Sequence, residues 1–233
     1  MARLTDISEH QQRPSIRRLK DEDNIVGVGV KMSEGWGYVD PDGVYNLRNV
    51  VDLGLVPIAY HFNWSGAPEG KGGKHQAEFL LRQIAKVVSP IKVIPAADVE
   101  ISSSMTRANF PTFRDIRLFL GTLEDKRPGQ RVGLYSGYYW RGNLGNPRIA
   151  DLGLKRRPII WDAHYFHSTN APASSFADKL ENVPDHYFET QAFGGLDADM
   201  LQFSDRVRFS AYTGDANVTN VDLAGLREWT KAA

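Results

Sequence analysis

Short apolar or β-branched runs alternate along the chain with segments whose apolar residues recur every three or four positions, the βα alternation of a parallel sheet or barrel. The first run is Arg3 to Ile7 and the second Asn24 to Lys31 (NIVGVGVK). Asp40 as N-cap and Pro41 at the first helical position then predict a helix that carries Val44, Leu47 and Val51 on one face and stops at Gly54. The third run, Leu55 to Phe62 (LVPIAYHF), is followed by a Gly-rich loop over 66–73 and a helix with Ala77, Leu81, Ile84, Ala85 and Val88 on one stripe. Ile91 to Val99 (IKVIPAADV) is continuously apolar, as a strand buried on both faces should be, and runs directly into Glu100. Pro111 opens a helix that aligns Phe113, Ile116, Leu120 and Leu123 and ends at Pro128-Gly129. Arg131 to Tyr135 and Arg157 to Asp162 are two further strands; Met200 to Phe203 and Val218 to Leu223 form a last pair, before a short helix around Arg227 and Trp229. Residues 163–185 show no periodicity, and so long a loop is expected at the rim of a groove. No linker or low-complexity stretch divides the chain, so one domain over 1–233 is expected.

Composition narrows the classes. The 233 residues are 42% hydrophobic and 24% charged, ordinary for a globular protein, and no run approaches the roughly 18 apolar residues of a membrane span. Basic and acidic residues balance at 28 each, so the totals carry no nucleic-acid footprint; the cluster Arg13, Arg17, Arg18 and Lys20 reads as a solvated helix face. With no cysteine there are no disulfides, thiolate metal sites or cysteine nucleophiles. Met1 to Gln12 is polar and lacks the apolar core of a secretory signal.

Candidate chemistry gathers at the ends of the runs. In a β/α barrel the carboxyl ends of the strands build the active site. Here those ends supply Asp6, Lys31, Tyr60, His61, Asp98, Glu100, Tyr135, Trp161, Asp162 and Gln202. Asp98 and Glu100, two apart, either face one pocket or stack with Glu100 crowning the strand. Two carboxyls held close resist joint ionisation, and a protonated acid beside an ionised one suits glycoside hydrolysis. A strand-end cap plus a solvated loop carboxylate fits the same spacing.

Nine segments in order carry a family resemblance: LTDISEHQ at Leu4 to Gln11, GVKMSEGWGYVDP at Gly29 to Pro41, GLVPIAYHF at Gly54 to Phe62, QAEFLL at Gln76 to Leu81, IPAADVE at Ile94 to Glu100, GLYSGYYW at Gly133 to Trp140, WDAHY at Trp161 to Tyr165, LQFSD at Leu201 to Asp205 and VTNVDLAGL at Val218 to Leu226. Together they resemble glycoside hydrolase family 25, the lysozymes typified by fungal and phage muramidases. The resemblance implies an α/β fold, a single irregular, flattened (β/α) barrel of TIM-like type, and cleavage of the β-1,4 bond between N-acetylmuramic acid and N-acetylglucosamine in peptidoglycan. It implies Glu100 as proton donor and later base, and Asp98 as support for the substrate acetamido group. Asp6 and Asp222 would complete an acidic floor, and Tyr60, His61, Trp161, Tyr135 and Gln202 would contact sugar. No cofactor or metal is expected, and peptidoglycan strands are the expected partner of a monomer that binds neither nucleic acid nor membrane. A phage lysin made in the host cytoplasm and released through a pore fits the missing signal.

Some residues depart from the family pattern. The usual Trp-Gln-Tyr-Ser reads Leu201-Gln202-Phe203-Ser204, Met32-Ser33 replaces Ala-Thr, and Asp162 stands where an uncharged residue is usual, adding negative charge near Glu100 if it faces the groove. His61 has no nearby histidine partner of the HExxH kind, Lys31 and Glu34 can simply pair, and Ser136 lacks the frame of an elbow nucleophile. His164 and His167 are expected to be solvated. A non-catalytic glycan-binding barrel and a chitinase-like hydrolase are the rival readings; retention of both Asp98 and Glu100 argues against the first, and apolar Ile94 to Ala97 against the second.

Overall fold

The computed structural model describes residues 1–66, 68–87, 93–166 and 171–231. Eleven strands occur among them: β1 (Arg3–Ile7), β2 (Gly27–Glu34), β3 (Tyr38–Val39), β4 (Val56–Phe62), β5 (Ile94–Asp98), β6 (Gly133–Ser136), β7 (Ile159–Ala163), β8 (Gln191–Phe193), β9 (Leu196–Asp197), β10 (Met200–Arg208) and β11 (Thr213–Thr219). The helices are α1 (Ile16–Asp21), α2 (Gly43–Asp52), α3 (Gly73–Ile84), α4 (Phe113–Lys126), α5 (Phe176–Leu180) and α6 (Leu223–Glu228). Hydrogen bonding runs β1-β11-β10-β7-β6-β5-β4-β2, and β1 also pairs with β2, which closes an eight-stranded barrel. Every barrel pairing is parallel except those of β11, which runs against both neighbours, β1 and β10. This is the expected α/β barrel of TIM-like type, made irregular by one reversed strand. Among the described residues no helix is long and apolar enough to cross a membrane.

The period of two along each strand sorts side chains into two compartments. Leu4, Val56, Ile58, Ile94, Ala96, Tyr135, Ile159, Trp161 and Met200 fill the barrel. Their immediate neighbours, among them Val28, Val30, Ala59, Ala97, Leu134, Ile160, Leu201 and Phe203, join the core between barrel and helices. Of the predicted stripes, α2 buries Leu47, with Val44 and Val51 only partly covered and Val50 buried instead, and α4 buries Ile116, Leu120 and Leu123, with Phe119 added and Phe113 only partly covered. On α3 the deeply buried leucine is Leu80, with Leu81 only partly covered. The expectations for Val88, for Ile91 at the start of the fourth strand and for His167 fall outside the described residues.

Three local expectations change. Asp40 does not cap α2; its carboxylate accepts from the backbone N–H of Asp42 and of Glu9, tying the loop after β1 to the helix. Met200 to Phe203 is the start of a nine-residue strand. The run Val218 to Leu223 straddles the end of β11 and the start of α6. Within the loop over 163–185, Ser174 bridges to Val207 and Ser175 closes a capping box on α5, so its second half packs beside β10.

The barrel narrows at β2, where Gly27 and Gly29 face inward. A Cβ at Gly29 would lie 2.9 Å from both Asp6 Cβ and Trp161 Cη2, so this glycine makes room for the indole beneath the barrel mouth. Adding atoms to a filled interior forces neighbours off their rotamers. Gly29→Ala is therefore expected to destabilise the protein by about 1–3 kcal/mol in denaturant unfolding and to displace the Trp161 fluorescence signal; unchanged stability and emission would show that the interior has slack there.

Candidate active site

The parallel strands deliver their last inward residues to one open end of the barrel. A trench of about 520 Å³ lies there, lined among others by Asp6, Lys31, Tyr60, Asp98, Glu100, Tyr135, Trp161, Gln202 and Asp215. Loops complete it: Ser8 to Gln11 after β1, Ser102 to Ser104 after β5, and Tyr165 after β7. The structure thus brings together seven of the nine residues predicted for the site, and omits two.

Asp222 is the first omission. It sits at the N-cap of α6, where its carboxylate accepts from the Gly225 N–H at 2.9 Å, and it does not line the trench. The reason is strand direction. β11 is antiparallel, with Val218 opposite Arg3 and Ala216 opposite Thr5, so its last residues lie at the closed bottom and its first ones at the mouth. The fourth acidic residue of the floor is Asp215. Its signal was the alternation Asp215, Asn217, Thr219 in TGDANVT, legible only once the strand is known to run backwards.

His61 is the second. Tyr60 faces the barrel interior, so its neighbour must face the helices. There the imidazole is fully buried, stacked on Phe119 with ring centroids 5.3 Å apart, and bonded to Ser33 Oγ at 2.8 Å and Gln76 Oε1 at 3.0 Å. Burial pushes its pKa down to about 4, against the pull of the Gln76 bond, so it stays neutral. It positions α3 and touches no substrate space. The same parity turns Asp162 outward, where Arg141 pairs with it at 2.8 Å and the Tyr187 hydroxyl donates to it. It therefore adds no charge to the trench. Leu201 and Phe203 also point into the outer core, so the departures flanking Gln202 do not reach the groove.

A directed hydrogen-bond relay holds the floor. Tyr135 and Tyr165 hydroxyls both donate to Gln202 Oε1, at 2.7 and 2.8 Å; Gln202 Nε2 donates to Asp6 Oδ2 at 3.1 Å. From the other side Trp161 Nε1 donates to Asn217 Oδ1 at 2.7 Å, and Asn217 Nδ2 donates to the same Asp6 oxygen at 2.8 Å. Each amide can satisfy its donors and acceptor in one orientation only, so the relay locks both side chains. Asp98 differs: its Oδ1 is buried without a hydrogen-bond partner. Lys31 spans the acidic side, 2.7 Å from Glu34 and 3.5 Å from Glu9. Ser136 Oγ donates to the Val99 carbonyl at 2.7 Å, a packing role.

Crowded burial sets the protonation. Glu100 is raised to about 7 by burial first and then by the charge of Asp6, with Lys31 opposing. Asp6 rises to about 6 through burial, moderated by its bonds from Asn217 and Gln202. Asp98 and Asp215 are pushed well above the usual carboxylate range, by burial and then, respectively, by Glu100 and Asp6. Behind the trench Asp40 is raised to about 7 by burial and by its contact with Glu9. Such a set retains protons near neutral pH, and perturbed groups converging on a cleft mark a functional site. Among the described residues no group of three or more His, Asp or Glu side chains is arranged to hold a metal ion.

Known proteins agree in fold. A muramidase from Trichobolus zukalii superposes with a TM-score of 0.72 at 20% identity over 99% of each chain. A bacterial lysozyme from Streptomyces coelicolor does so at 0.71 and 21% identity, over 98% of this chain and 96% of that one. The catalytic domain of endolysin ply40 from bacteriophage P40 of Listeria monocytogenes matches at 0.67 and 17% identity, over 99% of this chain and 97% of that one. At such identities the likeness is one of fold. No curated protein sequence matches the chain. The profile of glycosyl hydrolases family 25, however, matches residues 5–210, from β1 through β10, and the chain therefore belongs to glycosyl hydrolases family 25.

Proposed function

We propose that the chain is a lysozyme that cleaves the β-1,4 bond between N-acetylmuramic acid and N-acetylglucosamine in peptidoglycan, with Glu100 as general acid and then general base. The observation that carries this reading is the pairing of a carboxyl raised to about 7 with a buried acceptor oxygen on Asp98 that has no partner. A proton donor must keep its proton at working pH, and Glu100 does so at pH 6 where an ordinary glutamic acid would not.

The chemistry follows from those two groups. Glu100 gives its proton to the glycosidic oxygen as the bond to the anomeric carbon breaks, so the departing sugar leaves as a neutral alcohol. The acetamido carbonyl oxygen of the remaining sugar closes on the anomeric carbon and spreads positive charge to its N–H. Asp98 Oδ1 is the acceptor for that N–H, and Asp6, ionised above about pH 6, favours the same positive charge. Glu100, now ionised, takes a proton from water as it opens the ring, with net retention. Tyr60, Tyr135, Trp161 and Gln202 form the aromatic and polar walls against which a pyranose would lie. A muramidase, a lysozyme and an endolysin catalytic domain that share the fold also favour peptidoglycan as substrate.

Glu100→Gln is expected to lower clearing of Gram-positive cell walls by about 10²–10⁴-fold. Its stability should move the other way. A folded pKa of about 7 against an ordinary 4.5 means stability drains away as pH rises from about 4.5 to about 7. The glutamine variant should thus be more stable than wild type at pH 8, on the order of 1–3 kcal/mol, with no gain at pH 4; an active variant, or a stability gain that ignores pH, contradicts the assignment. The alkaline limb of kcat/KM should fall near pH 7, and Lys31→Met, which removes the cation opposing protonation of Glu100, should move that limb upward; a downward move would mean another group sets it. Mass spectrometry of a peptidoglycan digest should find muramic acid at the new reducing ends. Glucosamine there, or activity on chitin but not on walls, would favour a different glycosidase.

A further inference from the structure

A carboxyl pair lies behind the rim of the trench, apart from the four acids of its floor. Asp40, 2% exposed between β3 and α2, accepts the Asp42 N–H on Oδ1 at 2.9 Å and the Glu9 N–H on Oδ2 at 2.8 Å. It thereby anchors the loop 8–11, which lines the trench. The Glu9 side chain folds back to the same anchor, so that its carboxyl meets that of Asp40. Glu9 Oε1 lies 3.5 Å from Lys31 Nζ, whereas Oε2 is buried without a hydrogen-bond partner. Two ionised carboxyls are both acceptors, so their contact is a hydrogen bond only when one of them keeps its proton.

The surroundings make the pair uneven. From β2, Lys31 reaches Glu9 and, at 2.7 Å, Glu34; from the loop itself, His10 adds to the pull on Glu9. Tyr38 on β3 and Tyr60 on β4 face the pair as phenols that burial and the carboxylates keep neutral. Asp42, beside the anchor, is engaged by Arg13 at 2.7 Å. Burial and then the contact with Glu9 raise Asp40 to about 7, against its two backbone donors. For Glu9 burial is outweighed by the bond from Asp40 and the charge of Lys31, and its pKa falls below the usual value. Two touching carboxyls pushed in opposite directions hold one proton between them.

We propose that Asp40 and Glu9 share one proton that latches the rim of the trench, so that the loop 8–11 is fastened in acid and released toward neutral pH. With the proton in place Asp40 donates to Glu9, gives the orphaned oxygen a partner and still accepts both backbone N–H groups. Without it two negative charges meet at a buried side chain, and the loop relieves the repulsion by moving Glu9 outward, which also takes an anion from Lys31. The sign follows from linkage. The closed loop holds Asp40 near 7 and an opened one returns it to an ordinary 3.8, so opening releases a proton between those limits. Closure is therefore strongest in acid, weakens by up to about tenfold per pH unit as pH rises toward 7, and levels off above it. Asp40 does not line the trench and acts on a strand only by positioning the loop; that last effect, unlike the latch, rests on the glycosidase reading above.

Amide hydrogen exchange read by NMR tests the latch directly, because the backbone N–H at position 9 is bonded to Asp40. Its protection, corrected for the intrinsic pH dependence of exchange, should fall by about tenfold or more from pH 5 to pH 7 in the wild-type protein. It should stay level in Asp40→Asn and in Glu9→Gln, where an amide supplies the donor without a titrating proton. Glu100 is intact in both variants, so a fall that it caused would persist. A level wild-type profile, a fall that persists in either variant, or a fall abolished by His10→Gln would overturn the latch. Should neither variant fold, titration of the wild-type Asp40 carboxyl carbon decides: proton loss near pH 7 supports the latch and proton loss near 3.8 overturns it. On cell walls, KM should rise between pH 5 and pH 7 more in wild type than in Asp40→Asn; equal rises would overturn the effect on substrate. Wild-type protein inactive on walls would overturn the glycosidase reading and leave the exchange result to judge the latch.

Discussion

Crowding Asp6, Asp98, Glu100 and Asp215 together at one end of a barrel, the first two buried and Glu100 and Asp215 half-buried, is the constraint around which the rest of the molecule is arranged. Removing several carboxylates from water is costly, and mutual repulsion raises the cost further. The fold meets it in two ways. Protons remain on part of the set near neutral pH, and Asp6, which lies deepest in the relay, receives two N–H donors. Lys31, itself held between Glu9 and Glu34, is the cation that reaches the cluster. The same burial that strains the fold gives Glu100 its usable proton, a stability cost retained for function.

Strand parity explains most of what was legible beforehand. Runs such as IPAADV and RPIIWD showed where strands end, and the open end of a parallel barrel is where their last residues meet, so Asp6, Asp98, Glu100, Tyr60, Tyr135, Trp161 and Gln202 could be gathered without coordinates. Face assignment was harder, because a strand buried on both sides has no polar face to set the phase. His61 and Asp162 were polar residues at strand ends that point outward instead, satisfied by Gln76 and Ser33 in one case and by Arg141 and Tyr187 in the other. Direction was harder still. Nothing local in VTNVDLAGL says that β11 runs antiparallel, and the resemblance carried by that segment put Asp222 on the floor where the structure has Asp215.

Residues supplied by loops carried even less signal. Glu9, the serines 102–104 and Tyr165 belong to segments without periodicity, and only the closed barrel brings them to one rim. A glycine with no catalytic chemistry matters there as well: Gly29 beneath Trp161 sets how closely the aromatic walls approach.

Titration of the side-chain carboxyl carbons by ¹³C NMR reads the central claim without reference to any substrate. Glu100 is expected to titrate near pH 7 and Asp6 near pH 6, with Asp98 and Asp215 still protonated well above the ordinary aspartate range. Ordinary titration of all four, Glu100 near 4.5 and the aspartates near 3.8, would mean that the mouth of the barrel is solvated and that its carboxyls do not act on one another.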